Sequence, residues 1–127
     1  MTVAGGENHG RRLGLARDPG IGDTAGLTDV VGTGGDGSGS LNLSTGAALL
    51  AAACGVPIVK HGNRAVSSKS GSADTLEELG LCLPLDEAGA RRCLEETGFT
   101  FLFAPYYHPA MKTVAQVRGA MGVRTVF

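Results

Sequence analysis

Glycines and small polar side chains are concentrated in residues 30–45, where chemistry with a phosphate is possible. The apolar pair Val30–Val31 is typical of the end of a buried strand, and five glycines follow between Gly32 and Gly39. Backbone N–H groups can approach a ligand closely where no side chains intervene. Ser44 or Thr45 can cap the helix predicted next. A strand, a glycine loop and a helix N-terminus together predict a phosphate site.

The glycine stretch lacks features of two common phosphate-binding motifs, the dinucleotide fingerprint and the Walker loop. The spacing Gly32-x-Gly34-x-x-Gly37 matches the dinucleotide fingerprint, in which the helix begins inside the glycine motif. Here Ser44 comes seven positions after the last of these glycines, and the second predicted strand ends in lysine and histidine rather than an acidic residue. The Lys-Ser/Thr ending of a Walker loop is also missing. A glycine-rich surface turn is the alternative to a phosphate site.

A second polar loop follows the second predicted strand. Between Lys60 and Ser72 the sequence holds three cationic side chains, four serines, one asparagine and one histidine. This set suits an anionic ligand that also carries hydroxyl groups. A solvated basic turn is the alternative, and the density of serines favours binding.

These loops need a scaffold of strands and helices. We predict a strand over Leu27–Val31, a helix over Ser44–Cys54 that Gly55 ends, and a parallel strand over Val56–Lys60. The helix is apolar on every side, which predicts burial all round. Further elements are expected downstream: a helix over Ala73–Leu79 capped by Ser72, a helix from the cap Asp86 to Thr97 with Gly98 after it, a strand over Phe99–Phe103 and a helix from Pro109 to Met121.

The alternation of strands and helices predicts an α/β fold with an open, mainly parallel sheet, helices on both faces and a site at the carboxyl ends of the strands. Residues 1–28 show no sustained pattern and are predicted to be a flexible leader. Arg118 falls on the apolar side of the last predicted helix with Met111 and Val114. Its side chain therefore either lays its aliphatic part along the apolar surface and places the guanidinium in water, or binds a ligand in a cleft.

Composition excludes several classes of protein. The 127 residues are 43% hydrophobic and 18% charged, which indicates one compact globular domain. A net charge of −1 gives no electrostatic case for nucleic acid, and neither a membrane-spanning run nor a signal peptide is visible. The odd set of Cys54, Cys82 and Cys93 predicts buried free thiols, so we expect a reducing, cytoplasmic location.

Five blocks of the chain, in the same order, resemble anthranilate phosphoribosyltransferase, and the similarity extends from Asp29 to Phe127. Sister nucleoside phosphorylases share a related glycine loop but lack the Lys-His-Gly-Asn-Arg string, so a nucleoside phosphorylase relative is the weaker alternative. The blocks are Asp29-Val-Val-Gly-Thr-Gly-Gly-Asp36, Asn42-Leu-Ser-Thr45, Lys60-His-Gly-Asn-Arg-Ala-Val-Ser-Ser68, Phe101-Leu-Phe-Ala-Pro105 and His108-Pro-Ala-Met-Lys112 through Arg118.

The resemblance implies a transferase with a phosphoribosyltransferase-type core over residues 29–127. It would transfer the phosphoribosyl group of 5-phosphoribosyl 1-diphosphate (PRPP) to anthranilate in tryptophan biosynthesis, with Mg²⁺ bound in part by Ser44. It also implies anthranilate contacts from Gly32, Asn63, His108 and Arg118. The implied PRPP contacts are Gly32, Gly35, Asp36, Ser40, Asn42, Ser44, Thr45, Lys60, His61, Gly62, Asn63, Arg64, Ser67, Ser68 and Ser72. No residue stands out as a general acid or base.

The family pattern is longer than this chain. Family members are homodimers that begin with a helical, dimerising domain and continue past Phe127 to an Asp-Glu pair that holds Mg²⁺. We therefore expect a truncated core that is inactive by itself. An inactive PRPP-binding remnant is the alternative to an enzyme.

Overall fold

The computed structural model describes residues 17–23, 25–32, 41–65 and 70–110. Predictions for other residues, including most of the helix expected over Pro109–Met121, lie outside the described part. Within that part, none of the helices has the length and apolar character needed to cross a membrane. The elements are α1 (Leu43–Ala53), β1 (Ile58–Gly62), α2 (Ser72–Glu78), α3 (Glu87–Thr97), β2 (Phe99–Phe103) and α4 (Ala104–Tyr107).

The described sheet is parallel, as predicted. Strands β1 and β2 pair in register from Ile58 opposite Phe99 to Gly62 opposite Phe103. Consecutive side chains point to opposite faces of a strand, so the aromatic residues at 99, 101 and 103 share one face. The predicted strand over Phe99–Phe103 is confirmed, and the strand predicted over Val56–Lys60 lies two residues later in the chain.

The strand expected over Leu27–Val31 is wrong in extent, because only Thr28 bridges to Ile58. The Val59 N–H donates to the Thr28 carbonyl over 3.0 Å, which is the last ladder bond. If the parallel ladder continued, the Val30 N–H would donate to the Val59 carbonyl, and the His61 N–H would then donate to the Val30 carbonyl. Instead, the His61 N–H donates to an Asp29 carboxylate oxygen and the Val30 carbonyl accepts from the Lys60 ammonium. Side chains thus replace the ladder at this point.

Helices cover both faces of the sheet, which confirms the predicted architecture. Helices α1 and α2 pack Ala48, Ala73 and Leu76 against the face that carries Ile58 and Phe101. The opposite face packs Val59 and Leu102 against Ala90 of α3 and Tyr107 of α4, a short helix that the sequence did not predict.

The burial expected for α1 on every side is wrong. Only Thr45 and Ala48 of this helix are buried, whereas Leu43 and Leu50 are 70% and 68% exposed. The described sheet offers α1 one face to pack against, and an evenly apolar sequence does not select which side meets it. The thiols also differ from expectation: all three are free, but Cys54 and Cys82 are exposed and Cys93 is half-buried.

The ends of the helices were predicted in part. The Asp86 carboxylate accepts from the Gly89 N–H at 2.8 Å, and Gly98 ends α3 in the left-handed conformation, as expected. Asn42, rather than Ser44 or Thr45, caps α1. Gly71, rather than Ser72, occupies the N-cap of α2. The Ser72 hydroxyl donates to the Asn63 carbonyl instead.

Part of the segment predicted as a leader contacts the fold. Ile21 and Leu27 pack against the cluster that contains Tyr107. The Arg17 N–H donates to the Tyr107 carbonyl at 2.7 Å, and the Arg91 guanidinium donates to the Gly20 carbonyl. A division of the chain at residue 28 stays a prediction.

Tyr107→Phe tests the packing of the face that α3 and α4 cover. The Tyr107 ring is buried and its hydroxyl donates to the Leu85 carbonyl at 2.8 Å. Loss of this donor should lower the free energy of unfolding by about 1 kcal/mol at neutral pH. Chemical denaturation followed by circular dichroism measures the difference.

The stability difference between the wild type and Tyr107→Phe should also depend on pH. Burial, followed by the nearby Tyr106, raises the pKa of Tyr107 to about 12. The unfolded chain releases this proton near pH 10. The contribution of the protonated Tyr107 hydroxyl to the free energy of unfolding is therefore complete below about pH 10 and is lost as pH rises to about 12. The wild-type advantage over Tyr107→Phe should shrink in this window, whereas Tyr106→Phe serves as the control. A difference that is constant with pH would contradict the assignment.

Candidate functional site

Lys60 is a buried cation near the end of β1. Its side chain is 1% exposed, and its Nζ donates to the Val30 carbonyl at 2.5 Å and to the Ser44 hydroxyl at 3.4 Å. Burial lowers the pKa of Lys60, and the negative charge of Asp29 opposes part of that shift. The lysine thus joins the end of β1, the chain after the Thr28 bridge and the first turn of α1.

The first turn of α1 supplies amide and hydroxyl groups. The Asn42 side-chain oxygen accepts from the Thr45 N–H at 3.2 Å, from the Thr45 hydroxyl at 2.8 Å and from the Ser44 hydroxyl at 3.2 Å. A Cβ on Gly32 would lie 3.0 Å from the Ser44 hydroxyl oxygen, so the start of the glycine stretch lies against this turn. The predicted residues Gly32, Asn42, Ser44, Thr45 and Lys60 therefore lie together.

The N-terminus of α1 offers fewer backbone donors than its position in the sequence suggests. The Leu43 N–H donates to the Leu41 carbonyl at 2.7 Å, and the Thr45 N–H is bound to Asn42. Two of the first three N–H groups of the helix therefore have partners within the chain. The helix end therefore offers few open N–H groups, and Lys60 and the hydroxyl groups are the main polar groups at this point.

The Asp74 carboxylate helps to hold the loop after β1 against α2. Asp74 accepts from the Ala65 N–H at 2.8 Å and from the Gly71 N–H at 2.7 Å. These two donors, Ala65 first, lower the pKa of Asp74. The Ser72 hydroxyl donates to the Asn63 carbonyl at 3.3 Å and the Ala73 N–H donates to the same oxygen at 3.2 Å. Asn63 and Ser72, both predicted site residues, are thus brought together beside Gly62.

Arg64 is held by acidic side chains of α2. Its guanidinium forms a two-pronged ion pair with Glu77, lies 3.8 Å from an Asp74 oxygen and stacks 5.6 Å above the Phe103 ring centre. The hydrogen bond to Glu77 is the main cause of the raised pKa of Arg64. In this structure Arg64 ties the loop to α2, and a direct contact with phosphate stays a prediction.

His61 and His108 meet on the other face of β1. Their ring centres are 5.7 Å apart with the planes tilted by 35°. His61 Nδ1 is 3.0 Å from an Asp29 carboxylate oxygen. Because Lys60 and His61 are consecutive on a strand, they project to opposite sides of the sheet. Lys60 therefore lies on the side of α1, and the rings of His61 and His108 lie on the opposite side.

Six predicted contacts lie outside the described residues: Gly35, Asp36, Ser40, Ser67, Ser68 and Arg118. Three acidic residues that the sequence argument left without a role, Asp29, Asp74 and Glu77, hold the predicted ones in place. The signal for Asp74 was its position three residues after the helix cap, where a carboxylate can bind back to the N-cap N–H. Asp29 could have been suspected from its place in the strand predicted over Leu27–Val31, next to the strand predicted to end at Lys60, just before His61.

Comparison with known proteins places the chain in a family. Residues 24–127 match the sequence profile of the glycosyl transferase family, a/b domain. Anthranilate phosphoribosyltransferase of Methylobacterium radiotolerans is 62% identical over 99 residues, which are 78% of this chain and 29% of that protein. The chain thus spans about three tenths of that relative.

Solved structures agree with the sequence comparison. The anthranilate phosphoribosyltransferase of Thermus thermophilus superposes with a TM-score of 0.71 at 59% identity, over 80% of this chain and 31% of that one. The Saccharomyces cerevisiae enzyme, solved in complex with PRPP and Mg, gives 0.67 at 38% identity, over 80% and 28%. The chain therefore belongs to the glycosyl transferase family that has this α/β domain, and it is similar to the anthranilate phosphoribosyltransferases of that family.

Proposed function

We propose that this chain forms the PRPP-binding part of an anthranilate phosphoribosyltransferase. The proposed reaction transfers the phosphoribosyl group of PRPP to the amine of anthranilate, giving N-(5-phosphoribosyl)anthranilate and diphosphate, in tryptophan biosynthesis. The observation that carries the proposal is the buried Lys60 ammonium, held between the Val30 carbonyl and the Ser44 hydroxyl where the glycine stretch begins.

A buried ammonium with neutral partners is suited to an anion. Its two hydrogen bonds in the described part of the chain use two of its three donors, and both acceptors are uncharged oxygens. Taking the charge out of water costs several kcal/mol, which a bound diphosphate would offset. Asn42, Ser44 and Thr45 add hydroxyl and amide groups beside it. The burial of Lys60 supports a binding site, because the cation of a solvated basic turn would be exposed.

The same groups suit the proposed chemistry. As the bond between the ribose carbon and diphosphate breaks, negative charge grows on the departing oxygen, and the Lys60 ammonium would stabilise that charge. The oxygen-rich donor set around Ser44 fits Mg²⁺, which would take the Ser44 hydroxyl together with phosphate oxygens and water. When bound, Mg²⁺ would neutralise charge on the diphosphate.

PRPP binding without transfer is the second candidate. It needs the same Lys60 and hydroxyl groups but no chemical step. Incubation of the chain with PRPP, Mg²⁺ and anthranilate separates the two, because transfer would change the fluorescence of anthranilate. Product formation at about 1 per second would establish an enzyme.

Lys60→Met tests the proposed PRPP site directly. The substitution keeps an unbranched side chain of similar length and removes the charge, so we expect the affinity for PRPP with Mg²⁺ to fall by about 10- to 100-fold. Isothermal titration calorimetry measures the change. Arg92→Gln, which removes an exposed cation paired with Glu96 at 3.9 Å on α3, is the matched control. Equal affinities for wild type and Lys60→Met would exclude this lysine from the site.

Gly71→Ala tests whether the loop after β1 must lie close to α2. A Cβ at this position would lie 2.7 Å from the Asn63 carbonyl oxygen and nearer still to backbone atoms of Arg64 and Ala65. Backbone atoms cannot rotate away, so we expect a loss of about 1–3 kcal/mol in stability and a loss of PRPP binding. Thermal denaturation and calorimetry report the two effects.

Gly46→Ala is the control for this glycine substitution. A Cβ there would have no atom within 4 Å outside its chain neighbours and the backbone of its own helix, so stability should rise by up to about 1 kcal/mol. A Gly71→Ala protein as stable as wild type would show that the loop can move away from α2 at little cost.

A further inference from the structure

Residues 17–22 lie before the part of the chain that matches the family profile, yet they are docked on α3 and α4. We call this segment the strap. The Arg17 N–H donates to the Tyr107 carbonyl at 2.7 Å, and the Arg17 guanidinium lies 4.6 Å from the ring centre of Tyr106. Pro19, further along the strap, is buried. The first half of the strap is thus attached to α4 through its main chain, a side chain and packing.

The Gly20 carbonyl is the second attachment point of the strap. It accepts two N–H groups of the Arg91 guanidinium, one from Nε at 2.8 Å and one from a terminal nitrogen. A guanidinium that donates twice to one oxygen forms a charge-assisted contact with a defined direction. Because Arg91 belongs to α3, this contact attaches the strap to α3, whereas the Arg17 contacts attach it to α4.

The strap turns at Gly20, where it comes closest to α3. The φ angle of Gly20 is +67°, and the Asp18 carboxylate accepts from the Gly20 N–H at 2.8 Å. A Cβ on Gly20 would lie 3.0 Å from the Cβ of Glu87, the first residue of α3. Position 20 therefore requires glycine for two reasons, the left-handed backbone conformation and the close approach to α3.

The strap contacts the corner at which β2 ends and α4 begins. Phe103 ends β2, and the Arg64 guanidinium of the polar loop lies 5.6 Å from its ring centre. His108 follows Tyr107, whose carbonyl the strap binds, and the ring of His108 lies 5.7 Å from that of His61. Helix α4 has four residues, and a single turn is not stable by its own hydrogen bonds. Its position therefore depends on the segments packed against it, of which the strap is one.

We propose that the strap positions α4, and with it the His108 ring against His61, and that Arg91 is the residue that attaches the strap to α3. This role goes beyond the proposed function, because it needs no substrate and uses residues that precede the family match. Release of the strap would remove the hydrogen bond to the peptide group directly before His108. The His108 ring would then occupy a wider range of positions relative to His61.

Amide hydrogen exchange of the full chain, measured by NMR, tests the docking without any ligand. Because the Arg17 N–H is bound to the Tyr107 carbonyl, its exchange should be at least about tenfold slower than that of an unstructured amide. Arg91→Met keeps an unbranched side chain and removes both donors, so exchange of the Arg17 N–H should become about tenfold faster than in the wild type. Arg92→Met is the matched control, because Arg92 is the neighbouring exposed arginine of α3, paired with Glu96 at 3.9 Å.

Two glycines of the same segment provide a second comparison. Gly20 and Gly22 both have a positive φ, +67° and +79°, so an alanine is strained at either position. A Cβ on Gly22 would meet no atom within 4 Å outside its chain neighbours, whereas a Cβ on Gly20 would press on Glu87. The Arg17 N–H should therefore exchange faster in Gly20→Ala than in Gly22→Ala.

The histidine rings report on the positioning role. The chain has three histidines, so the ring signals of His61 and His108 are identified by their loss in His61→Gln and His108→Gln. We expect a nuclear Overhauser cross-peak between the two rings in the wild type and in Arg92→Met. In Arg91→Met the cross-peak should lose intensity, and the His108 signals should shift toward those of a histidine in an unfolded chain.

Three results would overturn these roles. A wild-type Arg17 N–H that exchanges as fast as an unstructured amide would show that the strap is not docked, which decides the matter even if a variant fails to fold. Equal exchange in Arg91→Met and Arg92→Met would exclude Arg91 as the attachment to α3. Faster exchange in Arg91→Met with an unchanged histidine cross-peak would show that the strap does not position the corner. These measurements use no ligand, so failure of the wild type to bind PRPP would count against the proposed function alone.

Discussion

The Lys60 ammonium is the interaction on which the candidate site depends. It takes the Val30 carbonyl that a neighbouring strand N–H would otherwise bind, and it reaches the Ser44 hydroxyl of α1. Burial of a charge costs several kcal/mol, and here two oxygen acceptors and the charge of Asp29 offset part of that cost. The same contact that buries the cation also ends the pairing begun at Thr28, so the chain is free to leave the sheet where the glycine stretch begins.

Three carboxylates hold different parts of the candidate site in place. Asp29 binds the ring and backbone of His61, Asp74 joins Ala65 to Gly71, and Glu77 holds Arg64. Each pairs a residue of the polar loop or of β1 with a second segment. These acidic residues therefore act on the shape of the candidate site, and Lys60 and the hydroxyl groups of α1 are the groups to which the proposal assigns the anion.

Sequence reasoning succeeded where one local signal decides the outcome. The Asp86 cap, the Gly98 helix end and the Phe99–Phe103 strand have such signals, and the family resemblance came from contiguous motifs. It failed where distant groups compete. Asn42 took the cap of α1, Ser72 turned to the Asn63 carbonyl, and the strand after Leu27 shrank to one bridge. The exposure of Leu50 and Cys54 likewise depends on which neighbours the sheet supplies, and no local pattern encodes that.

The adjacency of Lys60 and His61 on β1 limits how this chain can change in length during evolution. A single residue inserted between the bridge at Ile58 and Lys60 would reverse the faces of both side chains, sending the imidazole toward α1 and the ammonium toward His108. No conservative substitution elsewhere could restore the arrangement, because the insertion changes which face of the sheet each later side chain of β1 points to. Natural variation in this region should therefore appear as replacements at constant spacing, and insertions or deletions should be confined to the connections outside β1.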